Sequence, residues 1–336
     1  MAVISISTHG VGDVKIAFVG KGGSGKTTLS SLFVRYLVEE GAPVLAIDAD
    51  INQHLATALG ASEEQAVTLP TLSTHLPLIK DYLRGDNPHI TSADAMVKTT
   101  PPGRGSRLVG VTEDNPIYAA CVREISGARL AVTGPFTEED LGVACYHSKV
   151  GAAELLLNHM ADGPGEYVVV DMTAGADSFA SGLFTRFDLT ALVCEPTLRS
   201  VAVYRQYQGY AQDYGVRIAV IGNKVSDADD LAFLRDEVGA DLLCWIGRSD
   251  HVRAAERGRI RPIADLEPDN IAALAALRAT ADTTTRDWVT YQRQAVEFHV
   301  RNAVAWANDR TGQDLLAQVD PDFVVRPLHC QSAAHG

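Results

Sequence analysis

The sequence predicts an α/β fold, a mainly parallel central sheet with helices on both faces, and three observations carry that prediction. A short apolar run, residues 14–19, leads into a glycine-rich loop and then into residues 28–37, whose apolar positions recur at helix spacing. Two further apolar runs, residues 43–47 and 166–170, each end in a carboxylate, Asp48 and Asp171. Strand-like and helix-like segments then alternate along most of the chain, the order that builds a parallel sheet covered on both sides.

The loop reads Gly20-Lys21-Gly22-Gly23-Ser24-Gly25-Lys26-Thr27-Thr28, and it contains the spacing Gly-x-x-x-x-Gly-Lys-Thr at Gly20, Gly25, Lys26 and Thr27. Glycines let the main chain wrap its N–H groups round a polyphosphate, and the following helix start offers unpaired N–H groups and a partial positive charge. Lys26 is placed to reach the β- and γ-phosphates, and the Thr27 hydroxyl to ligate Mg²⁺. The sheet is therefore expected to be of the P-loop NTPase type.

The second strand ends in Asp48-Ala49-Asp50, on the sheet edge where such folds bind ligands, so both carboxylates are expected to face the phosphates. A carboxylate there holds Mg²⁺ through water or orients the attacking water. Residues 51–60 read as a short helix closed by Gly60. The stretch 61–115 has weak patterning and many prolines, and reads as a long insertion with one helix near 76–83. It is a candidate partner or substrate surface, or plain covering.

Residues 118–122 and 128–133 read as strands joined by a Ser126-Gly127 turn, and 150–160 as an amphipathic helix. The strand ending in Asp171 runs into Met172-Thr173-Ala174-Gly175, the order of a Walker B strand and a second switch loop. Asp171 would hold the Mg²⁺ water shell and the Gly175 N–H would sense the γ-phosphate. A strand at 189–196 precedes a helix at 197–214, and another at 216–224 ends in Asn223-Lys224. Asp269-Asn270 would cap a helix running to about 281. Residues 286–310 form a long helix candidate with Val289, Val296, Val300, Ala303 and Ala307 at core spacing. Its mixed charge suits packing on the domain or a partner rather than on a membrane. The tail holding His329, Cys330 and His335 reads as loosely ordered.

The expected organisation is an ATPase domain over 1–283, with the insertion at about 61–115, and a C-terminal helix and tail over 284–336. The 336 residues carry a formal net charge of −13, which argues against a general electrostatic grip on nucleic acid or anionic lipid. Five widely spaced cysteines, an odd number, and no apparent secretory signal point to reduced thiols in the cytoplasm. No apolar run approaches the ~20 residues of a membrane span.

The second lysine of the loop, Lys21, makes it resemble the deviant Walker A motif, Lys-Gly-Gly-x-Gly-Lys-Thr, of the MinD, ParA, ArsA, nitrogenase iron protein and CooC group of dimeric ATPases. The resemblance implies a homodimer in which Lys21 reaches across the two-fold interface to the nucleotide of the other subunit. It also implies that Asp50 orients the water, that Asp48 lies on the Mg²⁺ side, and that Asn223 reads the adenine edge. The group's usual proline after the second switch aspartate is Ile51 here, and its Ile-Pro-x-Asp near the base is Ile246-Gly247-Arg248-Ser249-Asp250. Those departures leave ATP favoured over GTP and let Arg248 stack on the base.

Within the group, Glu195-Pro196-Thr197-Leu198-Arg199-Ser200 is most similar to the CooC-like branch, whose members insert nickel into carbon monoxide dehydrogenase. That branch carries a metal-binding Cys-x-Cys where this chain has Cys145-x-His147. A thiolate and an imidazole from each of two subunits would supply the four ligands of a Ni²⁺ or Zn²⁺ site. The bland alternative is a buried thiol beside a polar helix start. The expected function is a slow Mg²⁺-dependent ATPase switch that serves a client protein in metallocentre maturation. The rivals are a ParA/MinD-like positioning or scaffold protein and a small-molecule kinase or ligase, the latter disfavoured by Lys21.

Overall fold

The computed structural model describes residues 14–50, 52–135, 147–173, 179 and 182–326, with the side chains of His147 and Ser148 outside that description. Eight described strands form one sheet: β1 (Val14–Gly20), β2 (Val44–Ala49), β3 (Val122–Ile125), β4 (Ala128–Val132), β5 (Tyr167–Met172), β6 (Leu189–Cys194), β7 (Ile218–Val225) and β8 (Leu242–Gly247). Their order is β3-β4-β2-β5-β1-β6-β7-β8, and only β3 runs antiparallel to its neighbour. The central strands are buried along their whole length and read as near-continuous apolar runs, as a two-sided parallel sheet requires.

Alternation along each strand sorts its side chains between two cores. On one face Val14, Ile16 and Phe18 pack with Leu29, Phe33 and Leu37 of α1 (Lys26–Glu39). The other face presents Ala17 and Val19 to a second cluster. The further helices are α2 (Leu55–Leu59), α3 (Glu63–Val67), α4 (Leu76–Arg84), α5 (Pro116–Cys121), α6 (His147–Asn158), α7 (Leu198–Ala211), α8 (Ala228–Val238), α9 (Asp250–Ala255), α10 (Pro268–Asp282), α11 (Trp288–Asn302) and α12 (Asn308–Thr311). The helix α10 shares the face of α1, whereas α4, α5, α6, α7 and α8 cover the other. No helix among the described residues is long and apolar enough to cross a membrane.

Four local expectations change. Residues 118–121 are helix rather than strand, because Asn115 accepts the Tyr118 N–H and Pro116 opens the first turn of α5. Only Val122 onwards is strand. The helix expected from residue 51 starts at Leu55, since Gln53 sits at φ 51°. The insertion holds a second helix, α3, fixed by a capping box between Ser62 and Gln65. Its Leu72, Ile79, Leu83, Ile90, Met96, Val109 and Val111 are core residues, so much of it is covering.

The long C-terminal helix breaks into α11, one π-helical turn (Ala303–Ala307) and α12. Its buried face is Tyr291, Gln292, Ala295, His299 and Asn302, while Val289 stands 63% exposed. The inward stripe is polar because it meets the insertion through hydrogen bonds. Gln292 donates to the Pro102 carbonyl at 3.1 Å, and His299 bridges Thr99 and the Leu315 carbonyl. Just beyond it, Thr100 donates to Gln318 at 2.8 Å and Arg104 pairs with Asp320 at 2.9 Å.

Beneath the sheet, at the end opposite the glycine-rich loop, Lys15 and Arg286 meet Asp162 and Asp188, all four side chains nearly or fully buried. Lys15 and Arg286 each lie 2.8 Å from Asp162. Burial alone would raise Asp162, yet the two cations hold its carboxyl well below the usual range. Arg286→Ala would leave the buried Asp188 without its cation and Asp162 with Lys15 alone, with an expected loss of about 3–5 kcal/mol of stability, measurable by urea unfolding.

Candidate nucleotide site

The glycine-rich loop leaves β1 at the centre of the sheet and closes on the first turn of α1. Gly20 has φ 149°, and a Cβ there would stand 2.5 Å from the Val193 carbonyl oxygen of β6. Gly25 has φ 95°, and a Cβ there would collide with the Asn223 amide of β7. Both glycines are therefore demanded by backbone conformation and by space. Gly25 is also the N-cap of α1 and supplies no side-chain acceptor, so the first amides of this long helix remain available to an anion.

A cleft of about 1090 Å³ opens over this helix start. Gly22, Gly23, Gly25, Lys26, Thr27 and Thr28 form its floor; Asp50, Asn52 and His54 form one wall, and Asn223, Lys224, Gly247, Arg248 and Arg253 the other. Lys26 is buried, and among the described residues its ammonium donates only to the Lys21 carbonyl, at 3.4 Å. Burial pushes its pKa down, against the attraction of Asp171 and Asp50. Ser24 Oγ is buried without a hydrogen-bond partner among the described residues. Such a pocket, with a desolvated cation and unspent donors, has the chemistry of a polyphosphate site.

The parallel register of β2 and β5 sets Asp48 directly opposite Asp171, and that of β1 sets Phe18 beside it. Thr27 donates its hydroxyl to Asp171 Oδ2 at 2.6 Å, while Asp171 Oδ1 is buried with no partner among the described residues. A hydroxyl, a carboxylate and an orphaned carboxylate oxygen at one point fit a hard divalent cation and its waters. Asp48 has a different task. Its two oxygens accept the Asp50 N–H at 3.1 Å and the Leu55 N–H at 2.9 Å, so it braces the loop that follows β2. That arrangement gives each Asp48 oxygen one protein donor, whereas Asp171 Oδ1 has none among the described residues.

Asp50 accepts both the Asn52 N–H at 2.9 Å and the Asn52 side-chain amide at 3.1 Å on the same oxygen, Oδ1. Its Oδ2 takes no hydrogen bond among the described residues. Asn52 and His54 were not singled out from the sequence as site residues. Their position two and four places after Asp50 was the available signal.

Asn223 donates one amide hydrogen to the Ser24 carbonyl at 2.7 Å, so that N–H holds the loop and the second N–H and the carbonyl oxygen remain. Arg248 is exposed on the same wall. The following turn is fixed by Asn270, which accepts the Gly247 N–H at 3.0 Å, and by Glu267, which accepts the Asp250 N–H at 2.8 Å. Burial opposes ionisation of Glu267, but hydrogen bonds from Ser249, Asn270 and backbone amides bring it down to about 2. Neither residue carries a motif that the sequence could have shown.

Lys21 bends back over its own loop, 3.2 Å from the Gly22 carbonyl and 3.6 Å from Glu195. Lys224 donates to the Gly23 carbonyl and to Glu195, each at 2.6 Å. Cys145, Gly175, His329, Cys330 and His335 lie outside the described residues, and His147 opens α6 with its side chain undescribed.

Two carboxyls of this site, Asp48 and Asp171, are buried enough to resist ionisation. Burial raises Asp48 to about 7 from an ordinary 3.8, and burial together with Asp48 raises Asp171 well above its ordinary value. Folding thus favours the protonated forms, and stability is lost as pH rises through that window. Calorimetry of the metal-free protein should show melting temperature falling between about pH 4 and about pH 7, with a shallower fall in Asp171→Asn.

Comparison with known proteins gives a consistent result. A family model described as CobQ/CobB/MinD/ParA nucleotide binding domain (CbiA) matches residues 16–263. Over 246 residues the chain is 32% identical to the carbon monoxide dehydrogenase accessory protein CooC of Rhodospirillum rubrum, covering 73% of this chain and 87% of that protein. In fold it is similar to the cell division ATPase MinD of Pyrococcus furiosus, with a TM-score of 0.51 at 16% identity over 80% of this chain and 100% of that one. The ATP complex of Cyanothece McdA gives a TM-score of 0.52 at 18% identity, over 82% of this chain and 99% of that one.

Proposed function

The chain belongs to the CobQ/CobB/MinD/ParA nucleotide-binding family, and on that premise we propose that it is a Mg²⁺-dependent ATPase that works as a dimeric conformational switch. The observation that carries this reading is the Thr27–Asp171 pair, with Asp171 Oδ1 left over, beside a buried Lys26 and the uncapped start of α1. Lys26, the loop amides and the helix start bind the β- and γ-phosphates and stabilise the charge that builds on them during transfer. The Thr27 hydroxyl and Asp171 would hold Mg²⁺, which would supply charge neutralisation to the phosphates. Asp50, clamped by Asn52 on one oxygen, orients the attacking water with the other. Lys21 of a second copy completes the phosphate site, and its release after hydrolysis opens the dimer.

For the biological use of that cycle, we propose metallocentre maturation, supported by 32% identity to a carbon monoxide dehydrogenase accessory protein. Cys145 and His147 from two subunits would supply a thiolate–imidazole site for Ni²⁺ or Zn²⁺ as cargo, delivered to a client enzyme. The test is metal content of the purified protein with and without a non-hydrolysable ATP analogue, in wild type, Cys145→Ala and His147→Ala. About one metal per dimer, lost in both variants, is the expected result. Background metal in the wild type would remove the maturation role and leave an ATP-gated partner switch.

A further inference from the structure

Three charges meet at the outer rim of the glycine-rich loop, and none of the steps above uses the negative one. Glu195 follows β6 and precedes α7. Its backbone is fixed: its N–H donates to Ser200 Oγ at 3.0 Å, Pro196 restricts the next φ, and Thr197 caps α7 by accepting the Ser200 N–H. From that anchored position Glu195 Oε1 accepts from Lys224 at 2.6 Å, and Oε2 lies 3.6 Å from the Lys21 ammonium. Lys224 itself holds φ 59°, a conformation that non-glycine residues keep mainly where the surroundings impose it. Both lysines also rest on loop carbonyls, Lys21 on Gly22 and Lys224 on Gly23.

We propose that Glu195 is the positioning residue of Lys21, holding its ammonium on its own loop until the polyphosphate of a second copy competes for it. The unequal contacts suit that task. Lys224 stays close when Lys21 leaves, so Glu195 is not stranded. The Lys21 contact is the longer, 3.6 Å against 2.6 Å, and only partly buried, which makes it weak enough to break. The anchored carboxylate thus sets how readily a monomer enters the nucleotide-bound dimer. The inference rests on the dimeric reading, in which Lys21 acts on the partner's nucleotide.

The experiment compares wild type, Glu195→Gln, Glu195→Asp, Lys21→Ala and the Lys21→Ala/Glu195→Gln double variant. One arm follows reductive methylation of Lys21 in the nucleotide-free protein by peptide mass spectrometry. A second follows dimerisation with Mg²⁺ and a non-hydrolysable ATP analogue by sedimentation. A third measures affinity for the same analogue. Glu195→Gln should methylate Lys21 and dimerise roughly two- to five-fold more readily, the range expected for a partly exposed ion pair. Glu195→Asp, which keeps the charge and shortens the reach, should move the same way by less. In the Lys21→Ala background Glu195→Gln should leave analogue affinity unchanged. An unchanged Lys21 methylation rate with dimerisation intact overturns the Glu195 assignment alone. An equal gain in analogue affinity with and without Lys21 also overturns it, because the carboxylate would then act only by repelling phosphate. A wild type that stays monomeric with the analogue overturns the dimeric reading and this inference together.

Discussion

Lys26→Ala is expected to weaken ATP binding about a hundredfold, roughly 3 kcal/mol, with the folded structure retained. The magnitude follows from where the ammonium sits. It is 6% exposed, its hydrogen bonding among the described residues is one long bond to a carbonyl, and burial disfavours its charge. A phosphate that replaces that poor environment gains a desolvated, charge-assisted partner, and the alanine variant forfeits all of it. Titration of a fluorescent nucleotide measures the loss directly, and circular dichroism verifies the fold. A Kd within about threefold of wild type would move the phosphates away from this loop.

The second large effect is kinetic. Asp50→Asn keeps the oxygen that accepts from Asn52 and replaces the other by an amide nitrogen. Nucleotide and Mg²⁺ should bind as in the wild type, since Asp171 and Thr27 are untouched. Hydrolysis should fall by about 10²–10³-fold, because the group that orients and accepts a proton from the attacking water is gone. With ATP present the variant should accumulate as a dimer that does not turn over. Single-turnover hydrolysis and sedimentation of the same sample separate the two quantities. Equal losses in binding and rate would instead make Asp50 a ground-state ligand.

The parts of this site that were legible in the sequence are those whose geometry is local. Gly20 and Gly25 occur where the backbone needs φ near 149° and 95°, and a fixed spacing of glycines encodes that directly. Asp171 was readable because a carboxylate ending an apolar run falls on the ligand edge of a parallel sheet. What stayed hidden depends on contacts far apart in the chain. Glu195 meets Lys21 and Lys224 only once β6 and β7 lie beside β1. Asn223 was expected at the base, and its amide turns out to be shared with the loop through the Ser24 carbonyl. Residues 118–121 carry strand-like side chains, and the Asn115-Pro116 start overrides them. The C-terminal stripe held at Ala303 and Ala307, which are core residues, but the inward face of α11 meets another polar segment, so hydrophobic spacing also picked out Val289, which faces solvent.

If each catalytic site draws Lys21 from a second copy while Asp50 acts within its own, variants disabled at the two residues should complement each other. The direct measurement is ATP hydrolysis by a mixture of Lys21→Ala and Asp50→Asn, each inactive alone. In a mixed dimer one site holds Asp50 in place and receives Lys21 from the partner, so it is complete, while the other lacks both. Random pairing predicts recovery of about a quarter of wild-type activity, half the dimers being mixed and one site of two being whole. Recovery near that level, rising with total protein concentration, is the predicted result. A mixture as inactive as its components would contradict the claim, placing Lys21 and Asp50 at the same nucleotide within one chain.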